Sequence, residues 1–213
     1  MLQSIRLFGN ILFRLARNRD RILISSIPRC GSTLLLRAVA GLKPAGTFPK
    51  SRNCAFVRDL SHLPQTRFMK THSSAPEYLP DDVKAVFLFG DPLHAIVSTR
   101  EKRFDANHFA NCGYTSDVPP DIYKEDALEY ERNFDSWMTA HDYPVLVVRY
   151  ETMFDNQNTL SEYLKFRVKL PPRRGRTNRI SPELSERLST VYGSLIRKVH
   201  AAPDIALLSN PKG

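Results

Sequence analysis

Short apolar runs that alternate with amphipathic helical segments are the feature that most constrains the fold of this chain. Residues 21–26 (RILISS) predict a first strand, which leads through a tight turn into a helix over 32–42. Further strands are predicted at 66–72, 83–89 and 145–150, and further helices at 93–103, 122–140, 159–166 and 182–199. This alternation predicts an α/β fold in which helices flank a central parallel sheet and ligands bind at the carboxyl ends of the strands.

The length and the charge pattern divide the chain into three parts. The 213 residues suit one compact domain, which we place at 21–200, followed by a C-terminal tail over 201–213. The preceding segment, 1–20, carries four arginines and apolar residues at helical spacing. This pattern favours a basic surface or docking helix, and peripheral contact with a membrane would use the same arrangement.

The composition indicates which chemical class of partner and which cellular compartment suit the chain. The formal net charge of +9 favours an anionic partner, such as a nucleic acid, a phospholipid, an acidic glycan or a phosphorylated small molecule. Cys30, Cys54 and Cys112 have the spacing of neither a disulfide framework nor a zinc site, so we expect no metal site and a cytoplasmic location. No apolar run approaches the about 20 residues that a membrane-spanning helix requires.

The turn between the first strand and the first helix has the residues of an anion-binding loop. In PRCGST (28–33), a glycine-containing turn directs backbone N–H groups outward at a helix N-terminus, while Arg29, Ser32 and Thr33 add a charge and two hydroxyls. The alternative is an ordinary helix start capped by a Ser or Thr side chain. A Walker loop is disfavoured because no Gly-x4-Gly-Lys-Ser/Thr string occurs. A cysteine phosphatase loop is disfavoured because its arginine position is occupied by Leu36.

The second predicted strand ends in a cation and a titratable base. Side chains alternate along a strand, so Lys70 and His72 point to one face and Thr71 to the other. At the carboxyl edge of a parallel sheet, this face borders the same crevice as the loop after the first strand. We therefore expect Lys70 and His72 to act at the anion-binding loop.

With these residues in place, the chain resembles the sulfotransferases that depend on 3′-phosphoadenosine 5′-phosphosulfate (PAPS). PRCGST is similar to their 5′-phosphosulfate loop, and KTH (70–72) to the tripeptide that carries their catalytic base. VFLFGDPLHAIVS (86–98) is similar to their segment with the 3′-phosphate serine, LVVRYETM (146–153) to their Tyr-Glu-Asp segment, and RRG (173–175) to their late basic turn. Leu34 replaces the tryptophan of cytosolic members, which places the resemblance nearer the bacterial or carbohydrate-type branch.

The resemblance implies a P-loop-like 5′-phosphosulfate loop and a complete donor site. The 5′-phosphate and the sulfuryl group would be bound by Arg29, Cys30 through its backbone N–H, Gly31, Ser32 and Thr33. The 3′-phosphate would be bound by Ser98, Arg173, Arg174 and Gly175, and Tyr150 would lie against the adenine. His72 would be the general base, and Lys70 and Arg29 would neutralise charge as the sulfuryl group moves, leaving adenosine 3′,5′-bisphosphate as the product.

Two departures from the family limit what the resemblance implies. Gly90 stands where the family has a 3′-phosphate arginine, so either Arg100, Arg103 or the late basic turn replaces it, or the 3′-phosphate is bound more weakly. The chain is also short, and the missing length falls where the family covers its acceptor. We expect residues 44–65 and 104–120, which read as irregular chain, to complete that pocket. The resemblance implies an acceptor that is a small molecule, a lipid or a glycan and that is sulfated on a hydroxyl or an amine.

Two other functions remain open from the residues alone. A nucleotide-dependent phosphoryl transferase of kinase type would need an acid to hold Mg²⁺, for which Asp91 is the obvious candidate. A non-catalytic module that binds anions or nucleic acid would use the charge of +9. The sequence shows no readout motif for nucleic acid, so we expect no specific nucleic-acid partner.

Overall fold

Helices pack on both faces of one six-stranded sheet in the computed structural model of the chain. The residues that it describes are 20–43, 46–101, 106–116, 118–173, 175 and 179–210. The strands are β1 (Arg21–Ser26), β2 (Cys54–Phe56), β3 (Phe68–Thr71), β4 (Val83–Phe89), β5 (Val145–Arg149) and β6 (Ile205–Leu208). The helices of these residues are α1 (Ser32–Val39), α2 (Pro92–Glu101), α3 (Ala106–Asn111), α4 (Tyr130–Met138), α5 (Gln157–Leu164) and α6 (Pro182–Ala201).

The order of the strands places the loop after β1 at the centre of the carboxyl edge. The order is β2-β3-β1-β4-β5-β6, in which β1 to β5 are parallel and β6 pairs antiparallel with β5. The chain builds β2 and β3 on one side of β1 and then β4 and β5 on the other. Ligands of open parallel sheets bind where the direction of winding reverses in this way. The expected α/β fold with a mostly parallel sheet is confirmed.

Alternation of side chains along the central strands supplies a hydrophobic cluster on each face of the sheet. On one face, Ile24 of β1 packs in a cluster with side chains of α1 and α5. On the other face, Leu23 of β1 and Phe87 of β4 pack in a cluster with Trp137 of α4 and side chains of α6. All six residues of β1 are buried, because this strand has helices above and below it and a strand on each side.

Three short elements were not expected from the sequence. β2 has three residues and β6 has four, which is too few for a strand periodicity to show. β2 and α3 both form within the stretches that we expected to be irregular. The C-terminal segment, which we set apart as a tail, contributes β6 to the edge of the sheet.

The helix expected over 122–140 is wrong in its first part, because α4 begins only at Tyr130. The Asp126 carboxylate accepts the backbone N–H groups of Tyr130 at 2.9 Å and Glu131 at 3.0 Å. These bonds satisfy donors in the first turn of the helix and so fix where it starts. Glu129 immediately before the helix has a φ of 50°, which a continuous right-handed helix cannot contain.

The expected N-terminal segment lies outside the described residues except for Asp20, whose carboxylate pairs with Lys84 at 2.9 Å. Arg103, at the end of a predicted helix, also lies outside them. Across the described ranges, no helix combines the length and the apolar character needed to cross a membrane.

Arg149 attaches the C-terminal strand to the rest of the sheet. Its Nε donates to Asp204 Oδ1 at 2.7 Å, and one of its terminal nitrogens donates to the carbonyl oxygens of Val199 at 2.8 Å and Ala202 at 2.7 Å. Those carbonyl groups lie at the end of α6, where helical carbonyls lack partners within the helix. The side chain of Arg149 is mostly buried, whereas that of Asp204 is exposed.

We predict that Arg149→Ala lowers the free energy of unfolding by about 2–3 kcal/mol, because it leaves two helix-terminal carbonyls without a charged donor. Asp204→Ala is the matched control, and we expect it to cost no more than about 1 kcal/mol, as for an exposed ion pair. Urea unfolding followed by circular dichroism measures both values, and hydrogen exchange of the β6 amides localises the effect. Equal losses in the two variants would show that the carbonyl contacts do not stabilise the chain.

Candidate functional site

The turn between β1 and α1 presents an uncapped helix N-terminus at the carboxyl edge of the sheet. α1 begins after Gly31, which has a φ of 82° and, as a glycine, carries no side chain to cap the helix by a hydrogen bond. The N–H groups of a first helical turn have no partner within the helix, and together with the helix dipole they attract anions. Ser32 and Thr33 therefore do not act as the N-cap residue of α1. The alternative of an ordinary capped helix start, which the sequence left open, does not hold.

Tyr150, which directly follows β5, packs against this turn. A Cβ atom added to Gly31 would lie 2.5 Å from Cδ2 and 2.6 Å from Cε2 of the Tyr150 ring. Real side chains do not approach this closely, so only glycine fits between the ring and the turn. The structure thus brings together Tyr150 and the loop, two features that the resemblance implies for one ligand.

Lys70 reaches the first turn of α1 from the neighbouring strand β3. Its Nζ donates to Thr33 Oγ1 at 2.9 Å, and the residue is only 8% exposed. Burial lowers the pKa of Lys70 to about 8; the nearby Cys112 acts in the opposite direction, and Arg29 lowers it further. Lys70 is therefore a buried cation at neutral pH that needs an anion or strong acceptors beside it.

His72 lies two residues beyond Lys70 and is held against the end of β1. Its Nδ1 is 2.8 Å from the carbonyl oxygen of Ser26, which can only accept, so Nδ1 carries the hydrogen and the lone pair is on Nε2. Burial, and after it the charge of Lys70, lowers the pKa of His72 well below its ordinary value. The imidazole is therefore neutral at physiological pH, with Nε2 as its basic atom.

Helix α4 fixes the backbone that directly follows the His72 side chain, a support that the sequence analysis did not find. Asn133 Nδ2 donates to the carbonyl oxygen of His72 at 2.8 Å, and Trp137 Nε1 donates to that of Ser73 at 3.0 Å. Asn133 is 4% exposed. The signal that could have identified it is an amide on the buried face of an amphipathic helix, next to Phe134 and Trp137.

Parts of both segments expected to cover an acceptor contact the ring of His72. Phe56 of β2 has its ring centre 5.7 Å from that of His72, and His108 of α3 has its ring centre at 6.2 Å. Arg58 Nε donates to Asn111 Oδ1 at 2.8 Å and joins the two segments at the surface. The imidazole is thus enclosed by rings, and it is only 6% exposed.

Arg29 extends from the loop toward the opposite side of β1. Its Nε donates to Ser98 Oγ of α2 at 3.0 Å. Gly90, between β4 and α2, has little free space, because an added Cβ atom would lie 3.0 Å from Glu151 Oε2 and 3.2 Å from Tyr150 Cβ. The structure thus brings Arg29 and Ser98 together and packs Glu151 where the family has an arginine.

Of the remaining residues expected at the site, Cys30 is buried, whereas the described residues of the late basic turn are exposed. Cys30 is 1% exposed within the hydrophobic cluster, and its backbone N–H donates to Ile27 O at 3.3 Å, so this N–H is already engaged. Arg173 and Gly175 are exposed, and Arg174 between them lies outside the described residues. Leu170, three residues before Arg173, packs in the same cluster as Leu35 of α1. The late basic turn therefore follows a segment on the face that α1 covers.

We predict that Gly31→Ala destabilises the chain by at least about 2 kcal/mol more than Gly41→Ala. Both glycines have positive φ, 82° and 68°, but a Cβ at Gly41 meets nothing within 4 Å. Gly41→Ala therefore reports the backbone cost alone, about 1–2 kcal/mol. Adding Tyr150→Ala should reduce the cost of Gly31→Ala to the same value, measured by urea unfolding of the four-member cycle. An unchanged cost in that background would contradict the contact.

The lowered pKa of Lys70 predicts how the free energy of unfolding depends on pH. Because its folded-state pKa is about 8 and that of an unfolded lysine is about 10.4, the unfolded state binds more protons between these values. Stability then rises with pH in that window. We expect wild type to gain about 2 kcal/mol relative to Lys70→Met between pH 7 and pH 9.5. Parallel stability curves for the two proteins would show that Lys70 titrates as an exposed lysine does.

Comparisons with known proteins do not assign the chain to a family. No family model matches it, and a search of curated proteins finds no match. The function is therefore inferred from the loop after β1, the buried Lys70 and His72, and the Arg29 contact with Ser98.

Proposed function

We propose that this chain is a sulfotransferase that moves a sulfuryl group from PAPS to a hydroxyl or an amine of an acceptor. The observation that carries the proposal is the convergence of a buried cation and a neutral imidazole on one uncapped helix N-terminus. Lys70 Nζ contacts Thr33 at 2.9 Å, and His72 Nδ1 contacts Ser26 O at 2.8 Å. An anion loop, a fixed positive charge and a base are the three groups that transfer of an anionic group to a nucleophile requires.

The turn between β1 and α1 is assigned as the 5′-phosphosulfate loop. Its fit to a phosphate rests on the N–H groups at the start of α1, the hydroxyls of Ser32 and Thr33, and the ammonium of Lys70. Ser26 Oγ donates to Ser32 Oγ at 2.9 Å, so the Ser32 hydroxyl hydrogen is available to a ligand. PAPS would supply the sulfuryl group, whose bond to the acceptor atom forms as its bond to the 5′-phosphate oxygen breaks.

His72 is assigned as the general base. Because Nδ1 donates to Ser26 O, the free lone pair of Nε2 takes the proton that the acceptor hydroxyl or amine loses on attack. The low pKa of His72 keeps this atom unprotonated across neutral pH, although it also limits its strength as a base. The contact of Asn133 with the His72 carbonyl holds the base in place without involving the imidazole.

Lys70 is assigned to the leaving side of the reaction. Its ammonium is buried, and a buried charge interacts more strongly with an anion than a solvated one does. Below its pKa of about 8 it is largely protonated and stabilises negative charge that collects on the leaving phosphate. Its position on β3, beside the first turn of α1, supports this role because the charge is near enough to act on His72.

The late basic turn and the cysteines agree with the proposal in outline. The segment that leads to Arg173 packs beside α1 through Leu170, which suits a basic turn that closes over the far end of the same ligand. Cys30, Cys54 and Cys112 are all free thiols, as in proteins of reducing compartments such as the cytoplasm. Asp91, the candidate magnesium ligand of a kinase, accepts the N–H of His94 at 3.0 Å and so caps α2.

Calorimetric titration with adenosine 3′,5′-bisphosphate tests the proposal without knowledge of the acceptor. We expect wild type to bind this nucleotide, and Arg173→Ala to weaken binding about 10-fold or more through loss of a charge-assisted contact. Arg132→Ala is the matched control, because Arg132 on α4 is exposed and pairs with Glu129 just before this helix. Failure of wild type to bind the bisphosphate would reject the proposal.

The base is tested with His72→Asn, which keeps an N–H donor for Ser26 O. We expect this variant to bind the bisphosphate as wild type does and to lose ~10²- to 10⁴-fold in turnover of PAPS with a panel of phenol, glycan and lipid acceptors. EDTA should leave the wild-type rate unchanged. Full turnover by His72→Asn would reject the assignment of His72 as the base. Dependence of the reaction on ATP and Mg²⁺ would favour the kinase. Binding that is sensitive to salt, without turnover, would favour the anion-binding module.

A further inference from the structure

Two stretches of the chain carry positive charge without any acidic residue. Residues 21–58 and residues 163–182 each contain seven lysines and arginines and neither aspartate nor glutamate. The other 17 of the 31 basic residues are outnumbered by the 22 acidic ones, although the chain as a whole carries +9. The positive charge is therefore concentrated in two segments, which indicates a defined surface for an anionic partner.

The second stretch presents its cations beside helix α5, on the face of the sheet that α1 and α5 cover. Val168 and Leu170 are 4% and 6% exposed, and both pack in the hydrophobic cluster that contains side chains of α1. Arg167 and Lys169, which alternate with them, are exposed. The buried side chains thus anchor this segment to the face, and its two cations lie on the outer side.

Helix α5 fixes this alternation through its own polar side chains. Ser161 Oγ accepts the backbone N–H of Val168 at 2.9 Å, and Gln157 Oε1 accepts that of Leu170 at 2.8 Å. Ser161 and Gln157 are about one helical turn apart, so the segment runs antiparallel to α5. These bonds use no atom of the two cations, and they therefore hold the charged groups at the surface without engaging them.

The loop after α1 adds cations from the first stretch to the same face. Its Phe48 packs against the same cluster, and Arg37 of α1 donates to the carbonyl oxygens of Lys43 and Thr47. These contacts fold the loop against α1, while the side chains of Lys43 and Lys50 stay exposed. We define the basic face by its exposed cations, which are Lys43, Lys50, Lys165, Arg167 and Lys169.

Ion pairs distinguish the basic face from the opposite side of the sheet. On that side, Lys198 of α6 lies 2.6 Å from the carboxylates of both Glu131 and Asp135 on α4. Near the basic face, Asp155 before α5 and Glu162 on it are exposed. Within the described ranges, however, no ion pair joins an acid to a cation of the basic face. Its charge is therefore not neutralised within the molecule.

The cations of the basic face are spread across the width of the sheet. The ring centre of Phe48 lies 6.2 Å from that of Phe56 on β2. At the other end, the Tyr163 hydroxyl of α5 lies 3.1 Å from Ala85 O on β4 and 3.0 Å from Pro144 O before β5. Because β2 and β5 are on opposite sides of β1, the cations cover a broad area. This spread suits a planar anionic surface better than a single polyanionic strand.

Aromatic side chains near the basic face are not available to a nucleic acid. Phe48 and Phe166 both pack against the hydrophobic cluster. Proteins that bind single-stranded nucleic acid combine a basic groove with exposed rings on which the bases stack. The basic face has the charge but not these rings, which disfavours that class of partner.

An exposed leucine beside the cations indicates the kind of surface that would bind. Leu42 directly precedes Lys43 and is 37% exposed. Proteins that lie on a bilayer combine cations, which attract anionic headgroups, with apolar side chains that enter the boundary below them. We propose that the basic face docks the chain on an anionic lipid surface, with Leu42 as its apolar contact. This inference does not rest on the proposed function, because the candidate site lies at the carboxyl edge of the sheet.

Cosedimentation of the full chain with lipid vesicles tests the inference. We expect wild type to bind mixed phosphatidylserine and phosphatidylcholine vesicles at physiological salt, and to bind pure phosphatidylcholine vesicles at least about 10-fold more weakly. Raised salt should weaken binding to the mixed vesicles. The triple variant Lys43→Gln, Arg167→Gln, Lys169→Gln should weaken it about 10- to 100-fold, because each cation adds to the attraction by the headgroups.

A matched control makes the same change in net charge on the other side of the sheet. It is the triple variant Lys124→Gln, Arg132→Gln, Arg187→Gln, in which three exposed cations are replaced, and we expect a change of less than about 3-fold. Leu42→Ser should weaken binding to the mixed vesicles about 3- to 10-fold and leave binding to heparin, a polyanion in solution, unchanged. Urea unfolding verifies that all three variants are folded.

Three results of these vesicle measurements would overturn the inference. Failure of wild type to bind the mixed vesicles would do so directly. Equal losses in the two triple variants would attribute binding to net charge or to the basic segment 1–20. Vesicle binding that Leu42→Ser leaves unchanged would assign the basic face to a polyanion in solution.

Calorimetry with adenosine 3′,5′-bisphosphate separates this inference from the proposed function. Both triple variants should bind the nucleotide as wild type does, because the basic face is separate from the nucleotide site. Loss of nucleotide binding in the basic-face variant alone would place its cations at that site and overturn the inference. Failure of wild type to bind the nucleotide, with vesicle binding as expected, would reject the proposed function alone.

Discussion

The hydrogen bond from Lys70 to Thr33 is the interaction on which the rest of the site depends. It crosses from β3 to the first turn of α1 and places an ammonium group in a setting that is almost closed to water. A buried charge is costly unless strong acceptors or an anion lie beside it. The uncapped N-terminus of α1 attracts anions at the same point, so the two features together define where a negatively charged group would bind.

The same burial sets the protonation states of both titratable groups. It lowers the pKa of Lys70 to about 8 and, with the charge of Lys70, holds the pKa of His72 well below its ordinary value. Each group thereby remains in the form that the proposed reaction requires at neutral pH, a cation and a free base. Neither state requires a neighbouring carboxylate, and the charge of one group enforces the neutrality of the other.

The sheet and part of the site could be predicted from local patterns. β1 and β4 are apolar runs, and simple alternation along β3 placed Lys70 and His72 together at the loop. What could not be predicted depends on contacts between distant segments. The ring of Tyr150 on Gly31, and the amide of Asn133 on the carbonyl of His72, join residues that no periodicity links. Elements as short as β2, α3 and β6 likewise form only because the sheet and the core accept them.

The way in which α4 supports His72, the proposed base, has a consequence for how this site could change. Asn133 binds the carbonyl group of position 72 and Trp137 binds that of position 73, so neither contact depends on which side chain position 72 carries. The location of the proposed base and its chemical identity are therefore encoded by different residues. A chain of this architecture could exchange the side chain at position 72 by a single substitution and still present the new group at the same point in space.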